Sequence, residues 1–391
     1  MTRKNVRFIL IITGLTLFAF SSISIGSYLI YAGLGDTQTT TSFNPTSQSS
    51  SAPSKETKTV SLQAIISKPF RYELDGEIQT TEGVPDFIDI NTSSLYIHPT
   101  VGSDTGTYSV SIQTDNSSYD ITIESVLPSA DFAELEFQLQ QIIAGNEQDI
   151  AYLINDTNRK QIVSWNEDEV LLPGSITKLP YALLILKDVD NGALNLDQTF
   201  PIRSEYKAYD SDLMFYFENG REVTLREYLE YLIQESDNTA MTHLEAILGG
   251  YQTFKDRVIN ELQIGEFFRL PNTGSVTQVF QILDLLYGDD FLSAPSRDLL
   301  IDIMSNNAER FSNRIEAGVP DQTQVAHKIG NLVSDNGLAV SDAAIVFSEY
   351  TDLYIIVMTK DMVNEEEGAE LIRQITSQSY RSLITEPLLI S

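Results

Sequence analysis

Cysteine is absent from the 391-residue chain, which excludes disulfides, thiolate catalysis and cysteine-ligated zinc. The three histidines, His98, His243 and His327, show no metal-ligand spacing, so we expect neither a metal nor another cofactor. Basic residues are also scarce: 25 lysines and arginines stand against 55 aspartates and glutamates, which gives a net charge of −30. Such a chain would repel a phosphate backbone, and nucleic acid is not an expected partner.

A long uncharged run lies near the start of the chain. Three basic residues occur within the first seven positions, and residues 8–35 then carry no charge, which is enough to span a hydrocarbon layer of about 30 Å. The basic residues before this run and Asp36 after it predict a single-pass signal-anchor over residues 1–35, with a cytoplasmic amino terminus and an extracellular remainder. Small residues near its end leave cleavage as the alternative.

The composition changes twice in the next hundred residues. Residues 36–58 are rich in serine and threonine and have little apolar surface, so they predict a flexible linker. Residues 59–128 contain short alternating runs such as TYSVSIQ and YDITIES, which predict a small all-β spacer domain. Tyr108 follows Asp104 by four residues, and this spacing resembles the tyrosine corner of immunoglobulin-like and cadherin-like domains. Any small antiparallel β unit remains the alternative.

Residues 129–391 show mixed periodicity and predict an α+β domain. One helical stretch and two paired strands come first, several helices follow, and two strand-like runs precede a final helix near residues 366–379. This order implies one sheet built from both ends of the domain, with helices packed on it.

The first candidate for chemistry is the pair Ser175 and Lys178 in PGSITKLPYALLIL, at the start of a strongly apolar helix. One helical turn separates the two side chains, which suits transfer of the serine proton to the lysine. The helix amino terminus could also stabilise an oxyanion. A helix cap is the simpler role for this serine. A second Ser-x-x-Lys at residues 204–207 lies among charged residues and lacks such apolar surroundings.

The second candidate is the triplet Ser236, Asp237 and Asn238, between two apolar helical stretches. A cap or turn is the ordinary role for these residue types. The triplet recurs at residues 334–336, but there the following Gly337 predicts a hairpin turn that explains it without function.

The third candidate is QVAHKIGNL, in which Lys328 and Gly330 lie on a predicted strand. Lysine is depleted in strands and glycine weakens them, unless a ligand approaches the backbone closely. An edge strand protected by its lysine is the alternative.

In this order, the three candidates resemble the Ser-x-x-Lys, Ser-Asp-Asn and Lys-Thr-Gly signatures of the serine β-lactamase and penicillin-binding protein superfamily. The resemblance covers about residues 130–391 and is closest to the class A β-lactamases, as in PGSITK, REVTLREYLEYLIQESDNTAM and GVPDQTQVAHKIG. It implies an antiparallel sheet flanked by helices, together with an all-helical subdomain. The implied substrates are β-lactams or peptidoglycan stem peptides that end in D-Ala-D-Ala.

The resemblance implies four catalytic residues. Ser175 would attack an amide carbonyl and become acylated, and Lys178 would be its base or proton relay. Ser236 would pass the proton to the leaving nitrogen. Lys328 would support Ser236 electrostatically and bind the substrate carboxylate.

The resemblance also implies three substrate-binding residues. Asn238 would hold the side-chain amide of the substrate, and Gly330 would let the substrate approach the strand. The backbone N–H groups of Asn331 and of the nucleophile would form the oxyanion hole.

Two departures from the family pattern bear on turnover. Ile329 stands where the family usually has threonine or serine, so a hydroxyl expected to bind the substrate carboxylate is missing. The Ω-loop glutamate that activates the deacylating water in class A enzymes is also missing, and Glu266 has a different sequence context. We therefore expect a membrane-anchored serine hydrolase with slow deacylation. The alternative is a wall-facing binding or sensing protein that keeps the fold and has lost turnover.

Overall fold

The computed structural model describes residues 55–100, 104–147, 149–208 and 213–387. The predicted signal-anchor and most of the predicted linker lie outside these ranges. Within them, no helix combines the length and apolar character needed to cross a membrane. The domain boundaries predicted from composition stay predictions.

Two small sheets precede the larger sheet along the chain. Their strands are β1 (Glu56–Ile65), β2 (Phe70–Glu73), β3 (Ile78–Glu82), β4 (Ile88–Ile90), β5 (Ser94–Ile97), β6 (Gly106–Thr114) and β7 (Ser117–Val126). One sheet has the order β1-β7-β6-β3, with β1 and β7 parallel, and the other has the order β2-β5-β4. In β7 alternate side chains are buried, because successive residues of a strand point to opposite faces.

Tyr108 makes the hydrogen bond that its spacing to Asp104 predicts. Its hydroxyl donates to the Asp104 carbonyl oxygen at 3.0 Å. Its ring packs edge-on against Phe87, with 4.9 Å between the ring centres. This hydrogen bond is the one that characterises a tyrosine corner. Whether the unit is immunoglobulin-like or cadherin-like stays a prediction.

The remaining elements build the α+β domain around one sheet. In chain order they are α1 (Phe132–Ile142), β8 (Ile150–Asp156), β9 (Gln161–Trp165), α2 (Leu179–Asp190), β10 (Thr199–Pro201), β11 (Glu222–Thr224), α3 (Leu225–Gln234), α4 (Asn238–Ile247), α5 (Tyr251–Arg257), β12 (Phe268–Arg269), β13 (Asn272–Thr273), α6 (Val276–Tyr287), α7 (Ala294–Ser305), β14 (Val325–Val333), β15 (Leu338–Val346), β16 (Leu353–Thr359) and α8 (Glu365–Tyr380). The sheet has the order β14-β15-β16-β8-β9, and all neighbouring strands are antiparallel. Strands from both ends of the domain therefore form one sheet, as the sequence predicts.

Helices cover both faces of this sheet. All seven side chains of β16 are buried, so the strand forms a continuous apolar run rather than an alternating one. Ile355 and Val357 face a core shared with α1 and α8. Ile356 and Met358 face a larger core shared with α2, α3, α4, α6 and α7. The helices of the middle segment thus pack on one face, and the first and last helices pack on the other.

The predicted hairpin after β14 is present. The Ser334 N–H donates to the Gly337 carbonyl oxygen at 2.9 Å, and β15 begins at the next residue. The second Ser-Asp-Asn triplet therefore has a structural role. The order of the strands makes β14 an edge strand of the sheet, which leaves one of its sides open to the nucleophile turn described below.

Candidate active site

Ser175 lies in a tight 3₁₀ turn, Gly174–Lys178, immediately before α2. Lys178 occupies the N-cap position of α2, and no side chain caps the helix there. The capping role therefore does not account for Ser175. All residues from 179 to 186 are buried, so α2 holds the turn firmly against the core.

The Lys178 amino group joins the first two sequence candidates. Its Nζ donates to Ser175 Oγ at 2.9 Å, to the Ser236 carbonyl oxygen at 2.8 Å and to Ser236 Oγ at 3.2 Å. Lys178 is only 2% exposed, and a buried amino group needs such partners to offset its lost hydration. Two serine hydroxyls therefore meet at one nitrogen, which is the arrangement needed to relay a proton from one to the other.

The second Ser-x-x-Lys does not form such a pair. Lys207 donates to the Phe217 carbonyl oxygen, and Ser204 Oγ lies 3.4 Å from the Glu205 carboxylate. Ser204 is exposed. The apolar surroundings of Ser175 thus distinguish the two copies correctly.

The residues of the Ser-Asp-Asn triplet have different roles. Asp237 caps α4 by accepting from Ala240 N at 2.9 Å, and its other carboxylate oxygen accepts from Met214 N at 2.9 Å. Ser236 has a φ of +55°, a left-handed conformation that a non-glycine residue keeps only where its surroundings enforce it. Asn238 is the first residue of α4 and is half-buried. Capping therefore explains Asp237 but not its two neighbours.

Two glycines allow the nucleophile turn to touch β14. A Cβ atom on Gly330 would lie 1.9 Å from the Pro173 carbonyl oxygen and 3.2 Å from Ser175 N. A Cβ atom on Gly174, whose φ is +60°, would lie 2.6 Å from Asn331 N. The two backbones are thus in direct contact. This contact makes Ser175 N and Asn331 N neighbours, as an oxyanion hole of two backbone donors requires.

Lys328 is buried on β14. Its Nζ lies 5.8 Å from the ring centre of Phe311 and donates to the Ile329 carbonyl oxygen at 3.3 Å. Burial lowers the pKa of Lys328 well below its ordinary value, and the positive charge of Lys178 lowers it further, whereas Asp342 opposes the shift.

The residues predicted from the motifs are brought together to different degrees. Hydrogen bonds or backbone contacts join Ser175, Lys178, Ser236, Gly330 and Asn331. Lys328 lies two residues before Gly330 on β14, and Asn238 lies two residues after Ser236 at the start of α4. Among the described residues, neither of these two side chains hydrogen-bonds Ser175. The individual catalytic roles stay predictions.

Asn272 supports the nucleophile turn and was not identified from the sequence. Its Oδ1 accepts from Gly174 N at 2.8 Å, and its Nδ2 donates to the Gly174 carbonyl oxygen at 3.1 Å. It belongs to the segment in which the sequence lacks the Ω-loop glutamate. The only local signal was the Pro271-Asn272 pair, which marks a turn but no function.

Arg314 is a second residue that the motifs missed. It is fully buried, and its guanidinium donates to Gly330 O at 3.2 Å, Ser341 O at 2.6 Å, Asn331 Oδ1 at 2.6 Å and Glu365 Oε1 at 2.8 Å. It therefore fixes both the backbone of β14 and the side chain of Asn331. A lone arginine in a polar stretch gave no signal of this role.

His327 and Asp342 form a buried ion pair behind Lys328. The Nδ1 atom of His327 lies 3.1 Å from both carboxylate oxygens of Asp342, and Nε2 lies 3.6 Å from Glu316. Burial disfavours the imidazolium, but the charge and hydrogen bond of Asp342, with help from Glu316, raise the pKa of His327 to about 9. His327 and Lys328 point to opposite faces of the strand, so the pair supports β14 from the far side.

The three histidines do not share a site. His243 accepts from Arg203 N at 3.0 Å and its other ring nitrogen lies 2.7 Å from the Thr239 carbonyl oxygen, and burial lowers its pKa. His98 lies 3.2 Å from Asp89 in the small sheets. In the described ranges, no group of three or more histidine, aspartate and glutamate residues is placed to hold a metal ion.

The protein has an antiparallel sheet covered by helices and a lysine whose amino group contacts two serine hydroxyls. These features define a class of proteins, the β-lactamase-like serine hydrolases with an α+β fold. A family model of the β-lactamase enzyme family matches residues 134–383, well over half of the chain. The chain belongs to this family.

Individual relatives agree with the family match. The chain is 26% identical over 270 residues to the β-lactamase VEB-1 of Pseudomonas aeruginosa, which covers 64% of this chain and 90% of that protein. It is 25% identical to the extended-spectrum β-lactamase PER-1 of the same species, over 67% of this chain and 91% of the relative. The solved structure of PBP-A has the same fold, with a TM-score of 0.58 and 24% identity over 65% of this chain and 97% of PBP-A.

Replacing Gly330 with alanine is expected to slow acylation of Ser175 about 100- to 1000-fold, the usual effect of losing an oxyanion donor. The added methyl group would push the turn away from β14 and separate the two backbone N–H groups. The measurement is the rate of labelling by a fluorescent penicillin. Gly192→Ala is the control for backbone strain outside the site, since Gly192 has a φ of +74° and nothing lies within 4 Å of a Cβ there; it should be labelled at the wild-type rate. Labelling of Gly330→Ala at the wild-type rate would contradict the assignment.

The His327–Asp342 pair predicts a loss of stability in alkaline solution. The folded protein holds the His327 proton up to about pH 9, compared with 6.5 for an ordinary histidine. The stabilisation is therefore complete below about pH 6.5 and disappears as the pH rises through 9, a loss on the order of 3 kcal/mol. The free energy of unfolding, measured with urea, should be lower at pH 9 than at pH 6.5 in wild type, and this difference should be smaller in His327→Gln. Equal falls in the two proteins would rule the pair out as its source.

Proposed function

We propose that the protein is a serine hydrolase that forms an acyl-enzyme on Ser175 with β-lactams or with D-Ala-D-Ala stem peptides. The observation that carries this proposal is the contact of Lys178 Nζ with both Ser175 Oγ and Ser236 Oγ. A serine hydroxyl is a weak nucleophile until a base takes its proton. The two relatives named as β-lactamases support β-lactams as one class of substrate.

In the proposed acylation, Ser175 Oγ bonds to the carbonyl carbon and the carbon–nitrogen bond breaks. Lys178 reacts as the uncharged amine: its Nζ takes the Ser175 hydroxyl proton, and the ammonium so formed gives up a proton that reaches the leaving nitrogen through Ser236 Oγ, which lies 3.2 Å from Nζ. The N–H groups of Ser175 and Asn331 donate to the developing oxyanion. Lys328 adds positive potential beside Ser236, and Asn238 holds the acyl side chain.

We propose that release of the acyl group is slow, because deacylation needs a base to activate water. Glu266 is exposed. Glu245 on α4 already accepts from the Tyr181 hydroxyl at 2.9 Å and from Arg269 at 3.0 Å. Tyr181 and Arg269 thus hold this carboxylate in a structural contact. These two acids of the neighbouring segments therefore do not replace the missing Ω-loop glutamate.

A fluorescent penicillin tests both halves of this proposal. We expect wild type to be labelled, Ser175→Ala to remain unlabelled, and Ser204→Ala, the matched change in the second Ser-x-x-Lys, to be labelled normally. After removal of excess reagent, the label should stay on the protein for hours. Loss of the label within seconds would contradict slow deacylation. A wild type that takes no label and releases no D-alanine from muropeptides would favour the wall-facing binding or sensing protein.

We further propose that residues 1–35 anchor the chain in the cell membrane with the hydrolase domain outside. The support is the uncharged run of residues 8–35, which follows basic residues and precedes Asp36.

Cell fractionation tests the anchor. The full chain should sediment with membranes and resist extraction with high salt, whereas a chain that lacks residues 1–35 should not sediment. Protease added outside intact protoplasts should degrade the hydrolase domain. Full-length chain in the soluble cytoplasmic fraction would contradict the anchor, and release of a chain shortened by about 35 residues would support the cleaved signal.

A further inference from the structure

We infer that a groove outside the cleft of Ser175 binds a neutral polysaccharide chain, the class of polymer to which the glycan strands of a cell wall belong. The groove runs from the small β sheets over the loops at one end of the five-stranded sheet. This inference rests on the proposed function, because it names the polymer that would carry stem peptides to the serine.

The small β sheets and the α+β domain share a packed core beside the groove. Ile66, which follows β1, is fully buried in the core that contains Tyr350 and Leu353. Arg159 lies over the Tyr350 ring, and its guanidinium donates to the Pro128 carbonyl oxygen at 2.8 Å. A cavity along this junction therefore has walls from both parts, and junctions of this kind are frequent places for ligand sites.

Three cavities share walls and form one channel, here called the polar groove. The first has a volume of about 640 Å³, and its lining includes Tyr96, His98 and Glu349. Glu349 also lines the second cavity, of about 530 Å³. The second cavity shares Gln324 and Phe347 with the third, of about 600 Å³. Each cavity is large enough for one small ligand, and their succession suits a chain of linked units.

Tyr96 and His98 form an aromatic surface at the start of the polar groove. Tyr96 on β5 lies opposite Asp89 on β4, and the ring centres of Tyr96 and His98 are 5.3 Å apart. Within the part of the chain that the structure describes, neither the Tyr96 hydroxyl nor the Glu349 carboxylate has a hydrogen-bond partner. A sugar ring can stack its C–H groups on such a surface and donate its hydroxyl protons to such acceptors.

Phe347 and Tyr287 form a second aromatic surface at the other end. Their ring centres are 6.0 Å apart, and the ring planes are inclined by 66°. The carboxylate of Asp302 and the amide of Gln324 line the same cavity, where they can accept from and donate to hydroxyl groups. Aromatic rings thus lie at both ends of the groove with polar side chains between them, an arrangement that a polymer of repeated sugar rings would use along its length.

The charges of the polar groove disfavour an anionic polymer. Asp89, Asp302 and Glu349 line it, and Arg297 is already paired with the Asp289 carboxylate. These carboxylates, together with the net charge of −30, repel an anion. They would attract a basic peptide, but that attraction makes no use of the aromatic rings. A neutral polysaccharide uses the rings and the carboxylates together.

The polar groove lies where β14 begins. Val325 is the first residue of this strand, and Gly330, which touches the nucleophile turn, lies five residues further on. Five strand residues span about 17 Å, and a peptide branch of about five extended residues has the same reach. A polysaccharide held in the groove would therefore keep its own peptide branches at a high effective concentration near Ser175.

Binding of chitohexaose, a neutral chain of six N-acetylglucosamine units, tests the inference by titration calorimetry on the full chain in detergent. We expect saturable binding to wild type. Tyr96→Ala and Glu349→Ala should each weaken it about tenfold, roughly the contribution of one stacked ring or one hydrogen bond. Phe137→Ala is the matched control, because Phe137 is an aromatic residue on α1 that is 56% exposed, and it should bind like wild type.

Labelling by a fluorescent penicillin separates this inference from the proposed function. Tyr96→Ala and Glu349→Ala should be labelled at the wild-type rate, which also shows that they fold. A wild type that is labelled but does not bind chitohexaose, or variants that bind it as tightly as wild type, would overturn the inference and leave acylation standing. Binding of hexalysine in place of the sugar, lost in about 0.5 M salt, would also overturn it. Sugar binding without labelling would contradict the proposed function instead.

Discussion

The contact of one buried lysine amino group with two serine hydroxyls is the interaction on which the site depends. Lys178 is held in place by the apolar helix that follows it, and it reaches Ser236 across 58 residues of sequence. Because this amino group is buried, it cannot exchange these partners for water without a large cost. The same burial that stabilises the fold therefore positions the groups that would pass the proton. The contact with Lys178 and the cap at Asp237 also hold Ser236 in its strained, left-handed backbone conformation.

The oxyanion donors depend on a second constraint, the close approach of the nucleophile turn to an edge strand. Gly174 and Gly330 permit this approach, and four further side chains hold it. Asn272 fixes the Gly174 peptide, Arg314 fixes the backbone and side chain next to Gly330, and the His327–Asp342 pair supports the strand from its other face. None of these supporting contacts is local in sequence. They link the acylation chemistry of the site to the packing of the far face of the sheet.

The parts predictable from the sequence are those encoded locally or by periodicity. Helix α1, the paired strands β8 and β9 and the hairpin after β14 follow from apolar spacing and turn residues, and the apolar run after Ser175 separates it from Ser204. The supporting side chains could not be predicted in this way. Asn272 contacts a peptide 98 residues away, and Arg314 joins groups that only the folded sheet brings together. Asparagine and arginine are common on protein surfaces. Only the contacts that Asn272 and Arg314 make after folding distinguish them from ordinary surface residues.

The central claim is that Lys178 connects the acylated serine to the second serine in one cleft, with the oxyanion held by two backbone N–H groups. A crystal structure of the protein after reaction with a penicillin tests it most directly. The account predicts an ester on Ser175 Oγ, an acyl carbonyl oxygen about 3 Å from Ser175 N and Asn331 N, and Lys178 Nζ between the ester oxygen and Ser236 Oγ. An acyl group on another residue, or a Lys178 side chain turned away from both serines, would contradict it.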